Sequence, residues 1–117
     1  MTATGITSDM FIRDSEIEWQ HADEGIQRKI LGYDSELMLV RAKFDEGAIG
    51  KTHSHPHRQV TYVESGKFEI HIKGEVQILN QGDSFYVPPE TDHGAKALEA
   101  GVLLDIFNPA REEFLQE

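Results

Sequence analysis

The sequence predicts an all-β domain, a sandwich or barrel of short strands. Apolar runs of two to six residues recur between turn signals, and one of them alternates strictly with polar residues. At 117 residues with 38% apolar content, the chain suits one compact core and is too short for two. Many short, evenly spaced strands in one small domain imply a sheet packed or closed on itself.

Residues 1–14 are mostly small and polar and read as a flexible leader, with one domain over 15–117. Ile30-Leu31 and Leu37 to Val40 are apolar runs bounded by Gly32 and by Asp34-Ser35. Phe68, Ile70 and Ile72 alternate with Lys67, Glu69, His71 and Lys73, the period of a half-buried strand. Lys73-Gly74-Glu75 is a hairpin turn into Val76 to Leu79. Asn80 to Asp83 is a second turn, before Ser84 to Val87, and Pro88-Pro89 ends that strand. Val102 to Phe107 is the last strand. A short helical turn is expected in the tail, with Asn108 as N-cap, Pro109 in the first helical position, and Glu112 and Glu113 in the first turns.

Lys and Arg total 11 against 21 Asp and Glu, a formal charge of -10. This disfavours nucleic acid and anionic membranes as partners. It would also repel a small anionic substrate, which then needs a local attractor inside a pocket. With no cysteine, disulfides and thiolate metal ligands are excluded. Met1 to Met10 has neither the basic start nor the apolar stretch of a secretory signal, and no run reaches membrane-spanning length, so a cytoplasmic location is expected.

Three of the six histidines fall in His53-Ser54-His55-Pro56-His57. On an extended chain they would share one face, where crowded imidazoles are poor structural material. A metal ion resolves that conflict by accepting a neutral nitrogen from each; an exposed histidine-rich turn is the bland alternative. His21 and His71 have nothing to single them out as ligands.

Gly47, five residues, His53-x-His55, three residues, Gln59, six residues and Gly66 resemble the first cupin motif, with Gln59 where Glu is usual. Gly82, five residues, Pro88 and then His93 resemble the second, with Glu90 in place of the usual Gly and Ala97 in place of the final Asn. The resemblance implies a jelly-roll-like β-barrel with a divalent metal in its mouth, held by His53, His55, Gln59 and His93. His57 has no ligand counterpart and is expected beside the site or at its rim. Ni, Zn, Mn or Fe would suit such ligands. Three imidazoles and an amide are all neutral, so the ion's full charge stays uncompensated and favours a substrate carrying its own negative charge.

Asp105 interrupts the apolar run Val102 to Phe107. A carboxylate there costs several kcal/mol, about 2–7, unless it is partnered or faces a cavity. Phe107 shares its face, and Arg111 follows within reach. Spacing leaves two readings open: an Asp105–Arg111 salt bridge pinning the tail, or a catalytic pair.

The stretches 53–63, 82–89 and 104–115, with 25–33, are similar to the KdgF-type family of pectin and alginate breakdown. The similarity spans roughly Trp19 to Leu115, and Gln59 and the Asp-x-Phe-x-x-x-Arg tail are its distinguishing parts. It implies an isomerase- or lyase-type enzyme that converts 4,5-unsaturated monouronates to the linear ketonised sugar acid. In that reading Asp105 is the acid/base, Arg111 grips the substrate and Phe107 shapes the pocket. The family also implies a homodimer. Rival readings are another metal cupin enzyme (a sugar isomerase or dioxygenase) and a non-catalytic sugar-binding cupin.

Overall fold

A computed structural model describes residues 6–115; the first five positions of the expected leader lie outside the described residues. The described residues form eight antiparallel strands, β1 (Gln20–Asp23), β2 (Ile26–Asp34), β3 (Leu37–Phe44), β4 (Ile49–His53), β5 (Arg58–Ile72), β6 (Glu75–Asn80), β7 (Ser84–Val87) and β8 (His93–Asn108). Among the described residues only two single 3-10 turns, Asp14–Glu16 and Glu112–Leu115, interrupt this all-β architecture. Neither is long and apolar enough to cross a membrane.

The long strands β5 and β8 pair from Arg58↔Asn108 to Ile72↔His93 and form a central ribbon. The other edge of β8 carries β4 near its start and β3 near its end. The other edge of β5 carries β7 near its start and β6 near its end. The ribbon bends where its register slips, between Val63 and Phe68. Gly66 sits at the bend with φ 86°, and a Cβ on it would stand 2.7 Å from the Cα of Gly101. Only glycines allow the two backbones to approach so closely there. The bend folds the two halves over one core of Phe44, Val63, Phe68, Ile70, Ala97 and Leu103. Phe68 is fully buried and meets Phe44 edge-on at 5.3 Å between ring centres.

The strands read from alternation at 68–72 and from an apolar run at 102–107 are thus the ends of much longer ones, which slip register at the bulges. Lys73 and Gly74, with φ 53° and 81°, form the expected tight hairpin turn.

A second cluster, Ile30, Met38, Val40, Phe107 and Ala110, lies beneath the tail, with Phe114 and Leu115 packed against it. The tail departs from expectation. Asn108 does not cap a helix: it ends β8 opposite Arg58, and its side-chain amide donates to the Glu36 carbonyl at 2.5 Å. The Ala110 amide donates to Ser35 O at 3.1 Å, so the chain is held against the β2–β3 turn before it can coil. Helical geometry begins only at Glu112, and Arg111 precedes the turn rather than lying in it.

Within the stretch read as a leader, Ser8 exchanges hydrogen bonds with Tyr33, and Asp14 binds Lys29 at 3.0 Å and Arg41 at 2.9 Å.

Candidate metal centre and cavity

His53, His55 and His93 converge, with one ring nitrogen of each within 4.8 Å of the others, a group that could hold a metal ion. They arrive by different routes. His53 and His93 are cross-strand partners at the last β4–β8 pair, with ring centres 4.4 Å apart. The extended, one-faced arrangement expected for 53–57 stops at His53. Pro56 has no N–H to continue a ladder, and the chain turns before β5. The Glu90 amide donates to the His55 carbonyl at 2.8 Å and draws that turn inward. Glu90 itself has φ 58°, a left-handed conformation natural to the glycine usual at this motif position. His55 is thereby buried, and its ring centre lies 4.8 Å from that of His93.

All three rings are oriented alike. Each donates Nδ1–H to a backbone carbonyl two residues away: His53 to Lys51 at 2.8 Å, His55 to His57 at 3.1 Å, and His93 to Thr91 at 2.8 Å. This leaves every Nε2 with its lone pair free, as a metal ligand requires. Burial strips water from the rings and lowers two of the pKa values, that of His93 to about 4, so both stay neutral at pH 7.

Gln59 completes the fit. Its amide N–H donates to Thr61 Oγ1 at 2.9 Å, which aims Oε1 at His55 Nε2, 3.0 Å away. Two electron-pair donors then face each other with no proton between them. A cation is what such a pair accommodates. The donor set fits a divalent metal bound by His53, His55, His93 and Gln59.

His53, Gln59 and His93 line a cavity of about 240 Å³, walled also by Asp105, Phe107 and Arg111. The Asp105–Arg111 salt bridge is not formed. Asp105 Oδ1 instead accepts the Thr61 hydroxyl at 2.6 Å and lies 3.4 Å from the Gln59 amide nitrogen. Burial pushes the Asp105 pKa up to about 6, against the Thr61 hydrogen bond and the nearby Arg111 charge. Arg111 binds Glu113 at 2.6 Å and lies 5.1 Å over the Phe107 ring. Phe107 also meets His55 edge-on at 5.8 Å and so joins the histidine and arginine walls.

His57 lies beside the site, its ring 5.3 Å from that of His55 and 6.5 Å from that of Phe107. Its carbonyl is the group that orients His55. His71 is paired with Glu69 at 2.9 Å, away from the cavity lining. Thr61 was not singled out in the sequence, although the two-residue period places it with Gln59 and Val63 on the inward face of β5. It is fully buried.

The family model described as Cupin domain matches residues 40–107. The pectin degradation protein KdgF of Dickeya dadantii (strain 3937) is 43% identical over 104 residues, 87% of this chain and 94% of that protein. Among solved structures, an RmlC-like cupin from Shewanella frigidimarina NCIMB 400 superposes with a TM-score of 0.91 at 43% identity, covering 94% of this chain and 99% of that one. KdgF from Halomonas sp. superposes with a TM-score of 0.87 at 42% identity, covering 92% and 99%.

Proposed function

The chain belongs to the cupins and, within them, to the KdgF family; from that premise we propose that it is a metal-dependent isomerase of 4,5-unsaturated monouronates, the sugar acids released from pectin and alginate. The observation that carries this reading is the Thr61-held carboxyl of Asp105. It lines the same cavity as a convergent histidine group and the guanidinium of Arg111.

The substrate is a cyclic hemiacetal whose ring oxygen is also an enol-ether oxygen, beside a carboxylate. Conversion moves one proton from the anomeric hydroxyl to C4. The C1–oxygen bond of the ring breaks and C1 becomes a carbonyl. The ring oxygen leaves as the C5 enolate, and protonation of C4 turns C5 into a ketone. No atom is gained or lost, so one acid/base group and a means of stabilising a transient oxyanion suffice. Asp105 fills the first role, poised by Thr61 and Gln59. Arg111 orients the carboxylate, and Phe107 supplies an apolar wall that limits water. A divalent metal bound by the three histidines and Gln59 would supply a Lewis acid toward the substrate oxygens. The reading places the reaction in the cytoplasm and in a homodimer, which sedimentation would check.

The test is a mixture of metal-loaded protein and unsaturated monouronate, followed by the enol-ether ultraviolet absorbance. Acceleration over the spontaneous decay is expected. A decay rate equal to that without protein overturns the reading.

A further inference from the structure

Arg28 stands on the inward face of β2, between the buried Ile26 and Ile30. A guanidinium among core-facing isoleucines is costly unless something is gained by placing it there. Its guanidinium lies 3.7 Å from the centre of the Phe114 ring, and Arg111 lies 4.5 Å from the centre of the same ring. Both arginines line the cavity that holds His53, Gln59 and Asp105.

The charges in this wall do not balance. None of the described salt bridges involves Arg28, whose Nε–H donates only to the neutral Gln20 Oε1 at 3.3 Å. Glu113, the acid whose charge reaches Arg28, is bound to Arg111. Asp105 is turned to Thr61 and Gln59. Burial, first, and the like charge of Arg111 act against the Arg28 cation, and the Glu113 charge offsets them only in part. Two guanidiniums thus share one aromatic ring and one carboxylate, inside a protein of net charge -10. Such an arrangement lacks an anion that a ligand would bring.

We propose that Arg28 is a second anion-binding residue of the cavity, acting with Arg111 across Phe114 to recognise the carboxylate of the sugar acid. This rests on the function proposed above. The Arg28 fork supplies donors along one edge of the carboxylate, and Phe114 fixes the spacing of the two cations. A neutral sugar of the same shape gains nothing from this wall, so Arg28 sets selectivity for the acid over the sugar.

The experiment compares Arg28→Gln with wild type in two assays. With unsaturated monouronate, KM should rise about ten- to hundred-fold, the size expected for losing a hydrogen bond to a charged group, while kcat changes by less than about three-fold. In calorimetry of the metal-loaded protein, galacturonate should lose affinity by a similar factor, and the weaker binding of galactose should not change. If Arg28 only stacks on Phe114 to hold the tail, the preference for galacturonate over galactose survives the substitution, and the proposal is overturned. Should Arg28→Gln fail to fold, Arg28→Lys keeps the charge without the fork. It should then raise KM about three-fold, and an unchanged KM overturns the proposal. A wild type that binds galacturonate but does not turn over the unsaturated substrate sinks the isomerase reading alone, while the calorimetric arm still decides the role of Arg28.

Discussion

The histidine wall and the arginine wall of the cavity are held by different means. Each of the three imidazoles is locked by a backbone carbonyl two residues away, on or beside a strand end, and Gln59 is locked by buried Thr61. The arginine wall rests on stacking and on side-chain partners alone, Glu113 for Arg111 and Gln20 for Arg28. Arg28, Arg111 and Phe107 all meet Phe114, a half-buried residue of the closing 3-10 turn. One wall is fixed at the precision of the β ladder, and the other at the precision of side chains leaning on a short tail. Fixed geometry suits the group that must hold a metal and a proton donor in register. An adaptable grip suits the group that only needs to capture an anion.

If the division is real, substitutions in the two walls should separate kinetically. The largest effect is expected for His93→Ala. It removes a buried ligand whose partner His53 sits directly across the ladder, and activity should fall by well over about 100-fold together with metal content measured by mass spectrometry. Asp105→Ala should come next, with kcat reduced by about 10²- to 10⁴-fold and metal content unchanged. A variant that keeps full activity would reduce Asp105 to a structural partner of Thr61. Arg111→Ala should act on the other parameter, raising KM about ten-fold or more with a smaller change in kcat. A fall in kcat alone would show that the two walls are not separable. Phe114→Leu keeps the apolar bulk but removes the ring that both guanidiniums face. It should raise KM only a few-fold, about the size of a lost cation–π contact.

The two walls also differ in how far the sequence revealed them. The histidine cluster was legible because its spacing resembles the cupin motifs, and the ladder accounts for that spacing. His53 and His93 must meet where β4 pairs with β8, and Gly66, Gly82 and Pro88 mark the bend and turns that bring them together. Asp105 was legible as the one charge in an apolar strand, but its partner was not: Arg111 was as close in sequence as Thr61 was distant, and the sheet register Thr61↔Asp105 decided between them. Arg28 gave a signal that went unread, a charge at the middle of the inward series Ile26, Arg28, Ile30. It is 83 positions from Arg111 (111 − 28), and only the packing of the tail over Phe107 and Ala110 joins them. The tail itself misled, because Asn108-Pro109 has the composition of a helix start while the ladder and the Glu36 carbonyl claim Asn108 first.

The smallest effect tests what steadies β2 from outside. Asp14 binds Lys29, the neighbour of Arg28 on the opposite face of the strand, and also Arg41 on β3. The hydrogen bond from Lys29 is the main cause that holds the Asp14 carboxyl below its ordinary value of 3.8, with Arg41 adding to it and burial opposing. A carboxylate whose pKa is depressed in the folded state contributes stability above its unfolded pKa and loses it as pH falls through the folded value. Asp14→Asn should therefore melt slightly below wild type at pH 7, and the two curves should converge as the pH falls below the ordinary carboxyl value of 3.8 and through the lower folded one. If the arginine wall depends on where β2 sits, the same variant should raise KM slightly at pH 7 and leave kcat and metal content untouched. If kcat falls instead, β2 steadies the histidine wall as well, and the contrast between the two walls is one of degree.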